Sequence, residues 1–238
     1  MKIIIVRHGD PDYEKDSLTD KGFREAELLS QRLVKIKADA YYCSPLGRAR
    51  DTARPTLEKL GKTAQTLDWL REFEGRVILD GKRVQCWDRL PDEWTGVPEY
   101  YTYDKWYNTP LMQTDNAQAE YEKVRKGIDE LLLLYGYEHS GRQYKVLRSN
   151  HDTIMLFCHF AVEAAMLSHI FSCSPMVLWH NFIALPTSVT TLVSEERTDG
   201  TATFRCMGFG DLSHLYAADE EPAFAGRFCE CFSDPDRH

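Results

Sequence analysis

Two hydrophobic patterns follow one another at the start of the chain. Ile3 to Val6 is an uninterrupted run of β-branched residues, which is typical of a strand buried on both faces. Apolar residues then recur at spacings of three and four, and Thr19 stands before them as a plausible N-cap: Phe23, Ala26, Leu29, Leu33 and Ile36. These patterns predict a buried strand followed by a helix with one apolar face.

The same alternation continues to about residue 67. Ala40 to Cys43 predicts a second strand, and a helix follows from about Leu46 to Gly61, with an interruption or kink near Pro55. Thr63 to Leu67 predicts a third strand. Strands that alternate with helices in this way indicate an α/β protein with a parallel sheet and right-handed crossovers.

A segment rich in aromatic residues and proline, from about 76 to 118, breaks this rhythm. It holds Trp87, Trp94, Trp106, Tyr100, Tyr101, Tyr103, Tyr107, Pro91, Pro98 and Pro110. We interpret it as a cap inserted into a single domain that spans residues 1–238. The same aromatic surface is a candidate homodimer face.

Regular patterns return after the insertion. A helix is predicted around Tyr121 to Tyr135, ending at Gly136. Thr153 to Cys158 is a second buried strand pattern, and Ala161 to Phe171 is an apolar helix. Two further strands, Val189 to Ser194 and Thr201 to Met207, form a pair through a turn that contains Asp199 and Gly200.

Composition narrows the class of partner. The chain has 238 residues, of which 43% are hydrophobic and 28% charged, and its net charge is −8. This is the composition of a globular protein. An acidic chain argues against a general binder of nucleic acid or of anionic membranes, because both require a cationic face. A phosphorylated ligand would therefore need a local positive pocket.

Cysteine usage and the first residues bear on the compartment. The seven cysteines are an odd number without a CxxC motif, and several lie inside apolar runs. This indicates reduced thiols rather than a disulfide framework. We expect no signal peptide and no membrane span, because the first apolar run is too short and none approaches about 20 residues. We therefore expect a cytoplasmic protein.

Polar residues follow directly after four of the predicted strands. The residues just past these strands are Arg7, His8 and Gly9 after the first, Ser44, Pro45 and Arg48 after the second, Arg71, Glu72 and Glu74 after the third, and His159 after the strand that ends at Cys158. In parallel α/β sheets, ligands bind beyond the carboxyl ends of the strands. We therefore expect two histidines, two or three arginines and an acid to converge there.

Such a group of side chains suits phosphoryl transfer. Guanidinium and imidazolium groups stabilise the negative charge spread over a phosphoryl group in transfer, and the planar fork of arginine bonds two oxygens at once. A histidine nitrogen can serve as the nucleophile, and a carboxylic acid can protonate the leaving oxygen. Since cationic side chains take the place of a metal ion, we expect no metal and no cofactor.

Several motifs resemble those of the histidine phosphatase (phosphoglycerate mutase-like) superfamily, RHG branch. Arg7-His8-Gly9 resembles its RHG signature, and Leu18 to Gly22 is similar to its LTxxG motif. Residues 44–53, read as SPLGRARDTA, are similar to SPLxRAxxTA, and Leu70-Arg71-Glu72 resembles LxE. Phe157-Cys158-His159 resembles the strand-end second histidine. Weaker similarity covers residues 186–190 and 210–215.

This resemblance implies a three-layer α/β/α sandwich and a role for each matching residue. His8 would be the nucleophile that becomes phosphohistidine. Arg7, Arg48 and His159 would bind the phosphoryl group, and His159 also counts among the catalytic residues. Glu72 would protonate the leaving oxygen and then activate water. Members of this family work without metal.

Three positions remain open at this stage. Glu74, two residues beyond Glu72, is an alternative proton donor. Asn150-His151-Asp152 looks like the HD motif of the acid phosphatase branch, but His151 precedes its strand, so we favour His159. Phe160 stands where the family often has glycine, which places a close approach of the backbone to phosphate in question.

The hypothesis from sequence is a metal-independent phosphatase that hydrolyses a small phosphorylated metabolite through a phosphohistidine on His8. A phosphoglycerate-mutase-type phosphotransferase shares the same residues. It is less favoured because Asp10, Asp12 and Glu14 stand where mutases usually supply Ser and Asn contacts. A non-catalytic protein that binds a phosphorylated ligand ranks last, because every chemical residue is present.

Overall fold

The computed structural model describes residues 1–234. The strands are β1 (Lys2–Arg7), β2 (Pro11–Asp12), β3 (Ser17–Leu18), β4 (Ala40–Cys43), β5 (Gln65–Thr66), β6 (Arg76–Leu79), β7 (Lys82–Gln85), β8 (Tyr137–Ser140), β9 (Gln143–Val146), β10 (Thr153–Cys158), β11 (Val189–Thr198) and β12 (Thr201–Asp211). The α-helices are α1 (Asp20–Leu33), α2 (Gly47–Leu60), α3 (Pro91–Trp94), α4 (Ala117–Leu134), α5 (Phe160–Phe171), α6 (Pro175–Asn181) and α7 (Ser213–Tyr216). Short 3-10 helices span Asp68–Leu70, Pro98–Tyr101, Trp106–Asn108 and Met112–Thr114.

Eight strands form one mixed sheet in the order β5-β4-β10-β1-β11-β12-β9-β8. The pairs from β5 to β1 are parallel, and the pairs from β1 to β8 are antiparallel. The parallel half contains the strands β1, β4 and β10, after which the candidate residues stand. Their carboxyl ends therefore meet at one edge of the sheet, as the sequence predicted.

Helices cover both faces of this sheet, so the predicted three-layer α/β/α sandwich is confirmed. On β1, Ile4 and Val6 pack in one buried cluster with Leu29 of α1 and Ala53 of α2. The other face of the sheet carries a second cluster that includes residues of α4, α5 and α6. Successive strand side chains point to opposite faces, so an apolar run without polar interruption is what a strand between two helical layers requires.

Most predicted elements are confirmed, with two differences in detail. Helix α2 continues through Pro55 without a break and ends at Gly61, which adopts a left-handed φ of 60°. Buried side chains on both sides of the proline, Ala49 and Thr56 among them, hold α2 against the sheet. The third strand is shorter than predicted: only Gln65 and Thr66 pair, at the exposed edge next to β4.

The aromatic segment 76–118 is ordered and packs against the helical layer. It begins with the antiparallel hairpin β6–β7 and continues through α3 and three short 3-10 helices. Trp106 is fully buried, and its ring meets Tyr121 of α4 and Trp179 of α6 edge to face. Its role as a cap, like the assignment of one domain to residues 1–238, stays a prediction.

The hairpin β8–β9 extends the sheet beyond the strands that the sequence indicated. Within residues 1–234, no helix combines the length and the apolar character needed to cross a membrane.

Candidate active site

His8 lies directly after the central strand β1 and is 2% exposed. Its backbone N–H donates to the carbonyl of Cys158 at the end of β10 (N to O 3.0 Å). In the side chain, Nδ1 lies 2.7 Å from the carbonyl oxygen of Gly9. A carbonyl only accepts, so Nδ1 carries the ring proton and Nε2 keeps a lone pair. Burial, together with the charges of Arg7 and Arg48, holds the pKa of His8 well below its usual range, so the imidazole is neutral at neutral pH.

The residue after His8 is glycine because the backbone is crowded there. A Cβ on Gly9 would come within 2.9 Å of the carbonyl oxygen of Gly22. The Gly9 N–H donates to Thr52 Oγ1 (2.9 Å), and that hydroxyl donates to the carbonyl of Arg48 (2.7 Å). The loop that carries His8 is thereby fixed to the first turns of α2, where Arg48 lies.

Arg7 and Arg48 are both buried next to His8. Nη1 of Arg7 donates to the carbonyl oxygens of Ala184 (2.5 Å) and Ala225 (3.2 Å). Nη1 of Arg48 lies 2.7 Å from Asp16 Oδ1. The Nε–H groups of both arginines are buried without a hydrogen-bond partner among residues 1–234. Two unsatisfied cationic donors buried next to the same histidine are suited to an anion.

His159 ends β10 and stands at the N-cap position of α5, fully buried. Its ring centroid is 5.1 Å from that of His8. Its Nε2 lies 2.8 Å from Ser44 Oγ, and Ser44 Oγ also accepts from the backbone N–H of Leu46 (3.2 Å). The serine hydroxyl is therefore free to donate to Nε2, which leaves the proton of His159 on Nδ1. In the described chain, this Nδ1 is a third buried N–H without a partner.

Glu72 follows the 3-10 helix 68–70 and reaches the N-terminus of α5. Its Oε1 accepts backbone N–H groups of Phe73 (2.9 Å), Ala161 (3.1 Å) and Val162 (3.2 Å). Burial raises the pKa of this carboxyl, although the Phe73 N–H and the charges of Arg7 and Arg48 oppose the rise. A carboxyl with one anchored oxygen and a raised pKa can deliver a proton from the other oxygen.

The two alternatives from the sequence lie elsewhere. Glu74 is exposed, and its nearest cationic neighbour is Arg71 (Oε1 to Nη2 3.8 Å). His151 is exposed in the loop before β10, so the length of the strand, about 20 Å for six residues, separates it from His159. The structure therefore brings together His8, Glu72, His159, Arg7 and Arg48, and it leaves Glu74 and His151 outside.

Three polar residues near the site were given no role from sequence. Asp16 pairs with Arg48 and also accepts the backbone N–H of Gly47 at the start of α2 (Oδ2 to N 2.7 Å). His214 is buried, and its Nε2 lies 3.1 Å from Thr187 Oγ1. The Thr187 backbone N–H in turn donates to the carbonyl of His8 (3.1 Å). His214 therefore supports the His8 loop.

The chain after α7 folds back over Arg7. Besides the contact with Ala225, a Cβ on Gly226 would come within 2.2 Å of Arg7 Nη1, so the backbone passes directly over the guanidinium. Glu25 ties this segment to the His8 loop, since its two oxygens accept the backbone N–H groups of Ala223 (3.0 Å) and Asp10 (3.1 Å). The C-terminal segment therefore closes one side of the site.

A second buried carboxyl, Glu163 in the first turn of α5, is 1% exposed. Burial raises the pKa of Glu163 to about 7 and the charge of Glu72 adds to the rise, while Thr190 and Arg7 oppose it. Between pH 4.5, which is the ordinary pKa of this carboxyl, and about pH 7, Glu163 in the folded protein holds a proton that it has released in the unfolded chain. This contribution to stability is complete below 4.5 and is lost as the pH rises through 7.

Gln does not titrate, so the unfolding free energy of Glu163→Gln should fall less than that of the wild type as the pH rises. Between about pH 5 and about pH 8, we expect this difference to be roughly 3 kcal/mol. Urea denaturation at both pH values measures this. Glu74→Gln is the matched control, because Glu74 is exposed and should leave the slope unchanged. A slope in Glu163→Gln equal to that of the wild type would show that Glu163 does not titrate in this window.

With the geometry established, comparison with known proteins defines the family. The model of the histidine phosphatase superfamily (branch 1) matches residues 3–206. The chain belongs to this superfamily. A probable phosphatase of Schizosaccharomyces pombe is 25% identical to it over 236 residues, which cover 90% of this chain and 95% of that protein.

Solved structures share the fold. A phosphoserine phosphatase mutant from Entamoeba histolytica, in complex with phosphoserine, matches 90% of this chain and 98% of its own, with a TM-score of 0.60 and 20% identity. A mycobacterial glucosyl-3-phosphoglycerate phosphatase with inorganic phosphate gives the same coverage and TM-score at 17% identity. At these identities the likeness establishes the three-layer fold.

Proposed function

We propose that the protein is a phosphatase that hydrolyses a small phosphate monoester through a phosphohistidine on His8, without a metal ion. The observation that carries the proposal is the set of buried N–H groups around His8 that lack partners among residues 1–234: Nε of Arg7, Nε of Arg48 and Nδ1 of His159. Three separate segments supply them. A dianionic phosphoryl group offers the acceptors that all three require.

The proposed reaction has two steps. In the first, His8 Nε2 attacks phosphorus while the bond to the ester oxygen breaks, and the Glu72 carboxyl gives its proton to that oxygen. In the second, the Glu72 carboxylate takes a proton from water as the water oxygen attacks phosphorus and the bond to His8 breaks. Inorganic phosphate leaves, and Glu72 is protonated again. Arg7, Arg48 and His159 stabilise the equatorial oxygens in both steps.

The loop after Gly9 favours water over a hydroxyl of phosphoglycerate as the acceptor. Asp10 accepts the hydroxyl of Thr19 (Oδ2 to Oγ1 2.7 Å), and Asp12 pairs with Lys15 (Oδ2 to Nζ 2.6 Å). These side chains are acidic and already paired, so they suit neither a second phosphate nor the carboxylate of phosphoglycerate. The phosphatases of similar structure support the same choice.

The direct test incubates the wild-type protein with an aryl phosphate and, separately, with 3-phosphoglycerate, in buffer that contains EDTA. The expected result is phosphate release from the aryl ester without inhibition by EDTA, and no isomer of phosphoglycerate. Isomer formation at a rate above that of phosphate release would replace the phosphatase with a mutase. Phosphate binding without turnover of any ester would favour a binding protein.

Asp16 offers a further prediction, because it partly neutralises Arg48. Asn at this position keeps the acceptor for Gly47 N–H and tolerates the left-handed φ of 49° found at Asp16. Removing the charge should tighten competitive inhibition by inorganic phosphate roughly fivefold. Inhibition constants for Asp16→Asn and for Asp12→Asn as control measure this; weaker inhibition in Asp16→Asn would contradict the anion site at Arg48.

A further inference from the structure

A second cluster of titratable side chains lies away from His8. It consists of Asp129 on α4, His139 on β8 and His169 near the end of α5, and their ligand atoms all lie within 4.8 Å of one another. His169 is ten residues beyond His159 along α5, so roughly 15 Å of helix separates the two sites. The three residues come from three elements, which the fold brings together.

His169 is fully buried, and its neighbours define its tautomer. Its Nε2 lies 2.8 Å from Asp129 Oδ1, and its Nδ1 lies 2.7 Å from the hydroxyl of Tyr103. Arg125 Nε–H also donates to Nδ1 (3.2 Å). Because Nδ1 accepts from Arg125, the proton lies on Nε2, which donates to the carboxylate.

His139 lies directly against this pair. Its ring stacks on that of His169, with centroids 4.4 Å apart and an interplanar angle of 30°. His139 is partly buried, and its imidazole offers one ring nitrogen to a ligand shared with this pair.

A buried hydroxyl provides a second, independent indication. Tyr144, the cross-strand partner of His139, is 1% exposed, and its hydroxyl has no hydrogen-bond partner among residues 1–234. The ring of Tyr144 meets that of His139 edge to face, with centroids 5.1 Å apart and an interplanar angle of 79°, so Tyr144 packs directly against the cluster. An O–H buried against the cluster without a partner indicates that a ligand atom or a water belongs there.

We propose that Asp129, His139 and His169 bind a divalent transition metal ion of the Zn²⁺ class, at a site separate from His8. Two imidazole nitrogens and one carboxylate oxygen, with water as the fourth ligand, are a donor set that such ions accept. Donor atoms in a tetrahedral zinc site lie roughly 3.3 Å apart. In the cluster, the distance from Nε2 of His169 to Oδ1 of Asp129 is 2.8 Å, and no two ligand atoms are more than 4.8 Å apart. The separation that zinc requires lies between these two values.

Metal binding requires a tautomer change but no net loss of a proton. The proton of His169 leaves Nε2, which binds the ion, and a proton is taken up at Nδ1, which donates to the Tyr103 hydroxyl. Such a contact from the second ring nitrogen is the usual support of a metal-bound histidine. Arg125 loses its acceptor on His169 and retains Glu122 (Nη1 to Oε1 2.8 Å). The water oxygen on the metal can accept a hydrogen bond from the hydroxyl of Tyr144.

The positive charge of Arg125 opposes the ion, and this gives the proposal a distinctive prediction. Arg125→Gln removes both the charge and the competing donor to Nδ1. The variant protein should therefore bind the metal at least about threefold more tightly than the wild-type protein does. A site that was only a set of hydrogen bonds would not gain metal affinity from this change.

The test is calorimetric titration with Zn²⁺ in a background where the exposed thiols of Cys206, Cys229 and Cys231 are replaced by Ser, because thiolates bind this ion themselves. The expected result is one ion per chain and a rise in Tm with zinc concentration. Asp129→Asn and His139→Ala should each weaken binding at least about tenfold. His151→Ala, an exposed histidine outside the cluster, is the matched control.

Two outcomes would overturn the proposal. One is the absence of binding below about 1 mM Zn²⁺ in the background without the three exposed thiols, because a site that weak is negligible. The other is binding that the double variant Asp129→Asn/His139→Ala leaves unchanged. Circular dichroism of each variant shows whether it folds. If a variant unfolds, Co²⁺ absorption spectra of the Arg125→Gln protein, in which the cluster is intact, show whether nitrogen atoms coordinate the ion. Spectra without nitrogen coordination would overturn the proposal.

Discussion

Replacing His8 with Asn is expected to lower kcat for an aryl phosphate by about 10⁴-fold or more. The Asn amide can still donate to the carbonyl of Gly9, as His8 Nδ1 does, so the loop should keep its conformation. The nucleophilic Nε2, however, has no counterpart in Asn. Phosphate release in the presence of EDTA measures the loss.

The matched control for this change is His151→Asn, because His151 is an exposed histidine far from the site. It should retain the wild-type rate. If His8→Asn keeps more than about a tenth of the wild-type activity, His8 is not the nucleophile, since a group that forms the covalent intermediate cannot be dispensable.

Replacing Glu72 with Gln is expected to have the second largest effect, and the effect should depend on the leaving group. Gln keeps an oxygen that can accept the N–H groups of Phe73, Ala161 and Val162, but it has no proton to give. We expect kcat for an alkyl phosphate to fall by roughly 10²- to 10⁴-fold. With nitrophenyl phosphate, whose leaving group needs no proton, the rate of the first step should fall much less.

The pH dependence provides a second measurement on the same variant. The protonated Glu72 carboxyl is the active form in the first step, so wild-type kcat/KM for the alkyl ester should fall as the pH rises through the raised pKa of Glu72. Glu72→Gln should lose this alkaline limb. Glu74→Gln should behave as the wild type; if instead it shows the large loss and Glu72→Gln does not, the proton donor has been assigned to the wrong residue.

Much of the parallel half of the fold could be predicted from sequence because its signals are local. The apolar run at residues 3–6 can be buried on both faces only between two helical layers. Thr19 caps the N-terminus of α1 as predicted, because its side chain accepts the Gly22 N–H (3.0 Å). Since the carboxyl ends of β1, β4 and β10 share one edge, the convergence of His8, Arg48 and His159 followed from topology alone.

Other features could not be predicted because they depend on contacts between distant segments. Asp16 and Arg48 meet across a loop, and Glu163 looks like a surface residue of a helix until α5 is buried on every side. The distinction between Glu72 and Glu74 depends on which carboxyl reaches the N-terminus of α5. No periodicity in the sequence carries that information.

The β8–β9 hairpin shows the same limit at the level of secondary structure. Its four-residue strands are short and partly polar, and they are held in the sheet by pairing of β9 with β12. Local patterns do not encode such long-range pairing. This hairpin is also what carries His139 to Asp129 and His169.

The most direct test of the central claim is detection of the covalent intermediate. The protein is mixed rapidly with a ³²P-labelled aryl phosphate, quenched in base, which spares phosphohistidine, and digested for mass spectrometry. Label is expected on the peptide that contains His8, and a greater amount of it in Glu72→Gln, where attack of water is slowed. Full turnover with no label on that peptide, or label on a peptide that contains His151 or His159 instead, would contradict the central claim.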